Sequence, residues 1–290
     1  MNNSYFSDRE IGSKPRIKED ITITAWGGIV SLIKSHIEKG SFGVEFPAAC
    51  PDKHSIIIGT DFQKFSLAIR AEIQDLIWPV DDREVPAKLS ILDLIQFCYK
   101  NIADPVRERH HPFFDHYHLG FDRVKGQRDF RQKINCILAR NGLVYELQED
   151  GQIIRLAPPV LREALQSAIF STGDSLLDKM LEVARKKYLD PDLTVRKEAL
   201  VKLWGAWERL KTIEPGEDKK KSTTALLDKC APEAKFRETL DNEAVELTRI
   251  GNTFSIRHSE TTQVPLESSE HVDYLFHRLF ALIQMILRCK

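Results

Sequence analysis

The sequence has no C-x-x-C pair, no long apolar run, no net charge of consequence and no nucleotide-binding or acyl-transfer signature, and each absence removes a class of function. Its five cysteines (Cys50, Cys98, Cys136, Cys230, Cys289) are scattered and odd in number. That spacing argues against a disulfide framework or a cysteine-based zinc site, and it fits a reducing cytoplasm. No stretch reaches the ~18 apolar residues needed to span a bilayer, and the first ten residues lack the apolar core of a secretory leader, so no membrane partner is expected. A formal net charge of −1 leaves any polyanion to be held by a local patch instead of a global field. Neither a Walker motif, nor a Rossmann fingerprint, nor a Gly-x-Ser-x-Gly elbow occurs.

What is present is an ordinary globular chain of 290 residues, long enough for two domains. The first twenty residues are polar and read as a loosely packed arm. Apolar residues at three- and four-residue spacing (Trp26, Ile29, Val30, Ile33, Ile37) then predict a helix over 21–39, stopped by Gly40. The stretch 42–60 carries Pro47 and Pro51 and reads as a loop with a short strand at Ile56-Ile57-Ile58. Asp61 is placed to cap a helix running to about residue 75, and 90–102 is a strong helix. From 127 to 156 the pattern is a helix stopped at Asn141-Gly142, then a hairpin turning at Asp150-Gly151. A winged helix ends this way, and so does a plain α+β module.

Pro158-Pro159 divides the chain. Beyond it, segments 160–170, 174–188, 193–212, 232–255 and 269–288 all carry helical stripes, while 215–222 reads as an exposed linker. The expected fold is mostly α: an N-terminal helical module with a small β-hairpin over 1–157, then a helical bundle over 158–290.

Three stretches carry chemistry. The richest is Ile256-Arg257-His258-Ser259-Glu260, which sets a cation, an imidazole and a carboxylate side by side. Together with the last three helical segments it resembles the HEPN superfamily. In that superfamily an Arg, often followed by a polar residue, precedes a His by four to six positions. The fragments Phe6-Ser7-Asp8-Arg9, Trp26-Gly27-Gly28-Ile29 and Gly40-Ser41-Phe42-Gly43 resemble proteins with an AbiJ-type N-terminal domain, known from bacterial abortive infection. The resemblance implies a cytoplasmic defence protein that binds or cleaves RNA, as a metal-independent ribonuclease in a homodimer, with no cofactor. It leaves room for an antitoxin or other defence-system partner, which the sequence itself does not identify. The alternative is a non-catalytic HEPN-like module for dimerisation or partner binding.

The motif departs from its usual form. If Asn252 is the polar residue and His258 the signature histidine, Gly251 stands where Arg is expected. Arg249 lies nine residues before His258, on the opposite helix face at roughly 100° per residue. Metal-free RNA cleavage needs a base for the 2′-hydroxyl, an acid for the leaving oxygen and a cation for the phosphoryl charge. On this reading His258 supplies base or acid, and Arg257 or Arg249 holds the phosphate. Asn252 positions the scissile group, and Glu260 orients the imidazole. The packing alternative places His258 on the apolar face shared by Leu240, Leu247 and Phe254.

The second stretch is Arg109 to His118, in which His110, His111, Asp115, His116 and His118 are candidate metal ligands. Their spacing matches no named ligand motif, and consecutive loop residues rarely supply a whole site, so a loop whose rings pack on the bundle or touch RNA is the competing reading. The third is the basic run over 121–140, with Arg123, Lys125, Arg128, Arg131, Lys133 and Arg140. It reads as a phosphate-tracking helix or as a solvated face, diluted by Asp122 and Asp129.

Overall fold

The computed structural model describes residues 5–10, 12–214, 218–254, 256 and 263–289. Among them are eleven helices and three two-stranded antiparallel sheets, so the fold is mostly α as the apolar periodicities indicate. The chain forms two compact units, Met1–Leu156 and Ala157–Lys290. No helix among the described residues is long and apolar enough to cross a membrane.

In the first unit, α1 (Phe6–Glu10) precedes α2 (Ile23–Glu38), which starts where the Thr22 hydroxyl accepts from the Ala25 amide. The helix buries Trp26, Ile29, Val30 and Ile33, and Gly40 turns the chain away at φ +81°. The polar arm is not loose throughout. Arg16 donates to the Leu143 carbonyl (2.9 Å) and pairs with Glu146 (2.9 Å), while Lys18 bridges to Leu143.

Strands β1 (Pro47–Ala49) and β2 (Ile57–Thr60) form the first hairpin, and α3 (Phe62–Glu72) follows under an Asp61 cap. After α4 (Lys88–Asn101), the stretch read from sequence as a histidine-rich loop is instead a second hairpin, β3 (Asp104–His111) with β4 (His116–Asp122). Helix α5 (Arg123–Arg140) then leads into β5 (Tyr145–Leu147) and β6 (Ile153–Arg155). The Asn135 side chain both donates to and accepts from the Leu147 backbone at 2.9 Å, locking that hairpin to α5. Phe42, Phe65, Trp78 and Phe97 form the aromatic centre of this core, with Phe65 in contact with the other three rings.

His36 lies buried in this unit, its Nδ1 3.0 Å from the Ser41 hydroxyl and its ring edge-on to Phe130. Burial first, then the nearby charges of Lys133 and Lys39, push its pKa down from 6.5 to about 4. The native ring is therefore neutral across a window in which the unfolded chain takes up a proton. Stability contributed this way is complete above pH 6.5 and is lost as pH falls towards 4. We expect a loss on the order of 2 kcal/mol across that window, after allowance for solvent screening. Urea unfolding at stepped pH checks it: His36→Gln should flatten the slope between these limits, and an unchanged slope would contradict the assignment.

The second unit is a helical bundle. It contains α6 (Pro159–Ser167), α7 (Ser175–Tyr188), α8 (Leu193–Leu210), α9 (Lys219–Asp228), α10 (Ala234–Thr253) and α11 (Ser269–Arg288). Part of the expected 215–222 linker is thus helix: α9 begins at Lys219, with Asp218 accepting from the Lys221 amide. Helix α8 packs against both α7 and α11, and Trp204, Trp207, Tyr188, Phe276 and Phe280 fill the centre.

Candidate functional site

The β3–β4 hairpin gives the histidines two opposite faces. Side chains alternate along a strand, so His116 and His118 share one face of β4, and His111 stands directly across from His116 in the antiparallel register. His110, paired with Tyr117, falls on the other face. There it meets Asp115 (Nε2 to Oδ1, 3.1 Å) and packs its ring on Tyr117. Of the five residues raised as metal ligands, the fold therefore gathers His111, His116 and His118 and separates His110 and Asp115 from them.

A fourth group joins the gathered three from far away in sequence. Cys50 follows the last residue of β1, where its amide donates to the Ile56 carbonyl (2.8 Å), and it is fully buried. Its Sγ lies 3.5 Å from His111 Nδ1, which in turn is 3.3 Å from His116 Nε2. One ligand atom from each of Cys50, His111, His116 and His118 lies within 4.8 Å of every other. The outer nitrogen of His111 faces the Asp52 carboxylate at 3.4 Å. Phe114 stacks on His116 and meets His111 edge-on, covering the cluster. His118 is buried, and its Nε2 has no hydrogen-bond partner among the described residues. Burial, then the neighbouring His111 and His116, then Lys53 and Arg109, push its pKa down. No cysteine-based site was expected from sequence because nothing there links Cys50 to the hairpin. A lone cysteine is a poor signal without its partners.

Most cations of the basic run are paired with carboxylates. Arg123 pairs with Glu45, Lys125 with Asp104 and Asp129, Arg128 with Asp129, Arg131 with Glu149 and Arg140 with Asp8. A cavity of about 590 Å³ in the first unit is lined by Asp93, Gln96, Tyr99, Lys100 and Arg123 among others, with no imidazole or thiol.

In the second unit, Arg257, His258 and Glu260 lie outside the described residues. The chain on either side is held: Phe254 bridges to Val264, and Ile256 is buried. Arg249 and Asn252 are on α10, both exposed, and the Asn252 carbonyl accepts from Gln263 (2.9 Å). A groove of about 360 Å³ runs between α10 and α11, lined by Arg249, His271, Tyr274 and Arg278 over an apolar floor that includes Ile250, Phe254 and Leu275. His271 and Arg278 were not singled out from sequence, since only packing brings α11 beside Arg249. Both guanidiniums are held by carboxylates of α10. Arg249 chelates Glu246 (2.8 and 2.6 Å) and Arg278 chelates Glu243 (2.7 and 2.7 Å). Hydrogen bonding to Arg249 pulls the Glu246 pKa down, and hydrogen bonding to Glu243 pushes that of Arg278 up.

No curated protein and no solved structure matches this chain. With a family model described as AbiJ N-terminal domain 4 matching residues 4–171, more than half of its length and all four members of the Cys50–His118 cluster, the chain belongs to that family.

Proposed function

We propose that this chain is a bacterial abortive-infection defence protein that acts on RNA through the α10–α11 face of a HEPN-like C-terminal unit, as a homodimer. The observation that carries the defence role is the family match over 4–171, in a family named for abortive infection. The RNA reading is supported by Arg249, His271 and Arg278 lining one groove. Guanidinium groups offer paired donors that suit a phosphate, and an imidazole can give or take a proton near neutral pH. The sequence between α10 and α11 adds Arg257 and His258. In metal-free cleavage His258 would move the proton of the 2′-hydroxyl or of the leaving 5′-oxygen, with a guanidinium stabilising the phosphoryl charge. A second copy would supply a matching histidine.

One observation favours the alternative of a non-catalytic dimerisation or partner-binding module. Arg249 and Arg278 each already hold a carboxylate, and a phosphate would have to displace it. Purified full chain incubated with single-stranded RNA in chelator separates the two. Cleavage is expected, reduced about 10²-fold or more by His258→Ala. Full activity in that variant would contradict the assignment of His258. Failure of the wild-type chain to retain or cut RNA at low salt would leave the partner-binding reading.

A further inference from the structure

We propose that Cys50, His111, His116 and His118 bind a zinc ion, which pins the end of β1 to the β3–β4 hairpin. The site lies in the N-terminal unit and stands independently of any activity at the α10–α11 groove.

Four lines of geometry converge on it. First, the spacing fits. Zinc holds nitrogen at about 2.0–2.1 Å and sulfur at about 2.3 Å in a tetrahedron, which sets neighbouring ligand atoms roughly 3.3–3.6 Å apart. Two pairs already have that separation, Cys50 Sγ to His111 Nδ1 at 3.5 Å and His111 Nδ1 to His116 Nε2 at 3.3 Å, and all four ligand atoms lie within 4.8 Å of one another, so the wider pairs close in around the ion. Second, His118 carries a buried ring nitrogen that has no partner among the described residues, and an unsatisfied buried polar atom is costly unless something binds it. Third, His111 turns Nδ1 to the cluster and Nε2 to Asp52 at 3.4 Å, the carboxylate–histidine arrangement that fixes the tautomer of a metal ligand. Fourth, Phe114 packs on His111 and His116, which narrows the access of water to those two rings.

The donor set selects the ion. Three imidazoles and a thiol are too soft for magnesium or calcium, which take oxygen ligands. One thiolate with neutral imidazoles suits zinc, and binding would displace the Cys50 proton to solvent. The Cys50 thiolate and the Asp52 carboxylate beside His111 would together balance the charge of a divalent ion. Four protein donors fill a tetrahedron, so the ion has no open position for water or substrate. The site is structural, and a metal-dependent nuclease centre at this hairpin is disfavoured.

The test uses untagged full-length chain. Elemental analysis after gel filtration is expected to find about one zinc per chain, and the Cys50→Ser/His118→Gln double variant should lose it. His110→Ala, on the opposite face, should keep it. Cobalt exchanged into the wild type should show tetrahedral ligand-field absorption and a thiolate-to-metal band. Asp52 is exposed, so Asp52→Asn should leave the fold intact and weaken zinc about tenfold or more in competition with a chromophoric chelator. A wild-type zinc content no higher than that of the double variant would overturn the proposal. So would an octahedral cobalt spectrum without the thiolate band. If the double variant does not fold, the wild-type stoichiometry and cobalt spectrum decide alone.

Discussion

Replacing Trp204 with alanine is expected to destabilise the C-terminal unit by about 3–5 kcal/mol, the range for truncating a buried aromatic. Trp204 is fully buried on α8, and its indole donates to the Leu247 carbonyl of α10 at 2.9 Å. Alanine would leave a cavity in the core of the helical bundle, and the Leu247 carbonyl would lose this donor. The surrounding residues cannot close the gap cheaply, because they belong to rigid helices packed on several sides. Urea unfolding followed by circular dichroism measures the change. A midpoint shift worth less than about 1 kcal/mol would mean that this tryptophan does not anchor the bundle.

The second large effect comes from charge. Arg196 is fully buried on α8, with Nη1 3.0 Å from the Ser269 hydroxyl and 3.7 Å from Asp273. Asp273 also accepts from the Tyr188 hydroxyl at 2.7 Å, so one carboxylate ties α7, α8 and α11 together. The Tyr188 ring stacks on Phe276 at 3.8 Å, one turn further along α11. Removing one member of a buried ion pair costs about 3–5 kcal/mol, because the remaining charge loses its compensation. Asp273→Ala should fall near the lower end, about 3 kcal/mol, since Arg196 keeps the Ser269 hydroxyl and the ion separation is long. Asp273→Asn, which still offers an acceptor to Tyr188, should lose less. An Asp273→Asn variant as stable as the wild type would show that charge is not what matters at this junction.

Much of this architecture was legible because local and tertiary signals agree. Helices α2 and α11 follow their 3.6-residue apolar stripes, and Asp61 caps the first turn of α3 as its position indicates. The stop at Asn141-Gly142 is likewise observed, with Gly142 at φ +73°, a conformation glycine adopts without steric cost. The β5–β6 hairpin followed from alternation around Asp150-Gly151.

The β3–β4 hairpin was not legible, for a physical reason. Arg107, Glu108, Arg109 and His110 are polar and exposed in succession, so the strand lacks the alternation that marks a half-buried face. Its turn uses Asp115 at φ 48° in place of an Asn-Gly pair. The four-residue cluster was hidden further, since Cys50 and His111 are 61 residues apart. The usable trace was His116 and His118 at strand spacing, with a third histidine five positions earlier. In the second unit, Arg249 and Asn252 were visible as polar residues of a helical motif. His271 and Arg278 emerged only when α11 was packed beside them.

The metal centre is the claim on which the account of the N-terminal unit rests, and zinc K-edge X-ray absorption on untagged full-length chain tests it most directly. The expected first shell is about three nitrogens near 2.0–2.1 Å and one sulfur near 2.3 Å, with the sulfur lost in Cys50→Ser. A shell of oxygen and nitrogen alone, or a purified chain with no zinc edge, would contradict it.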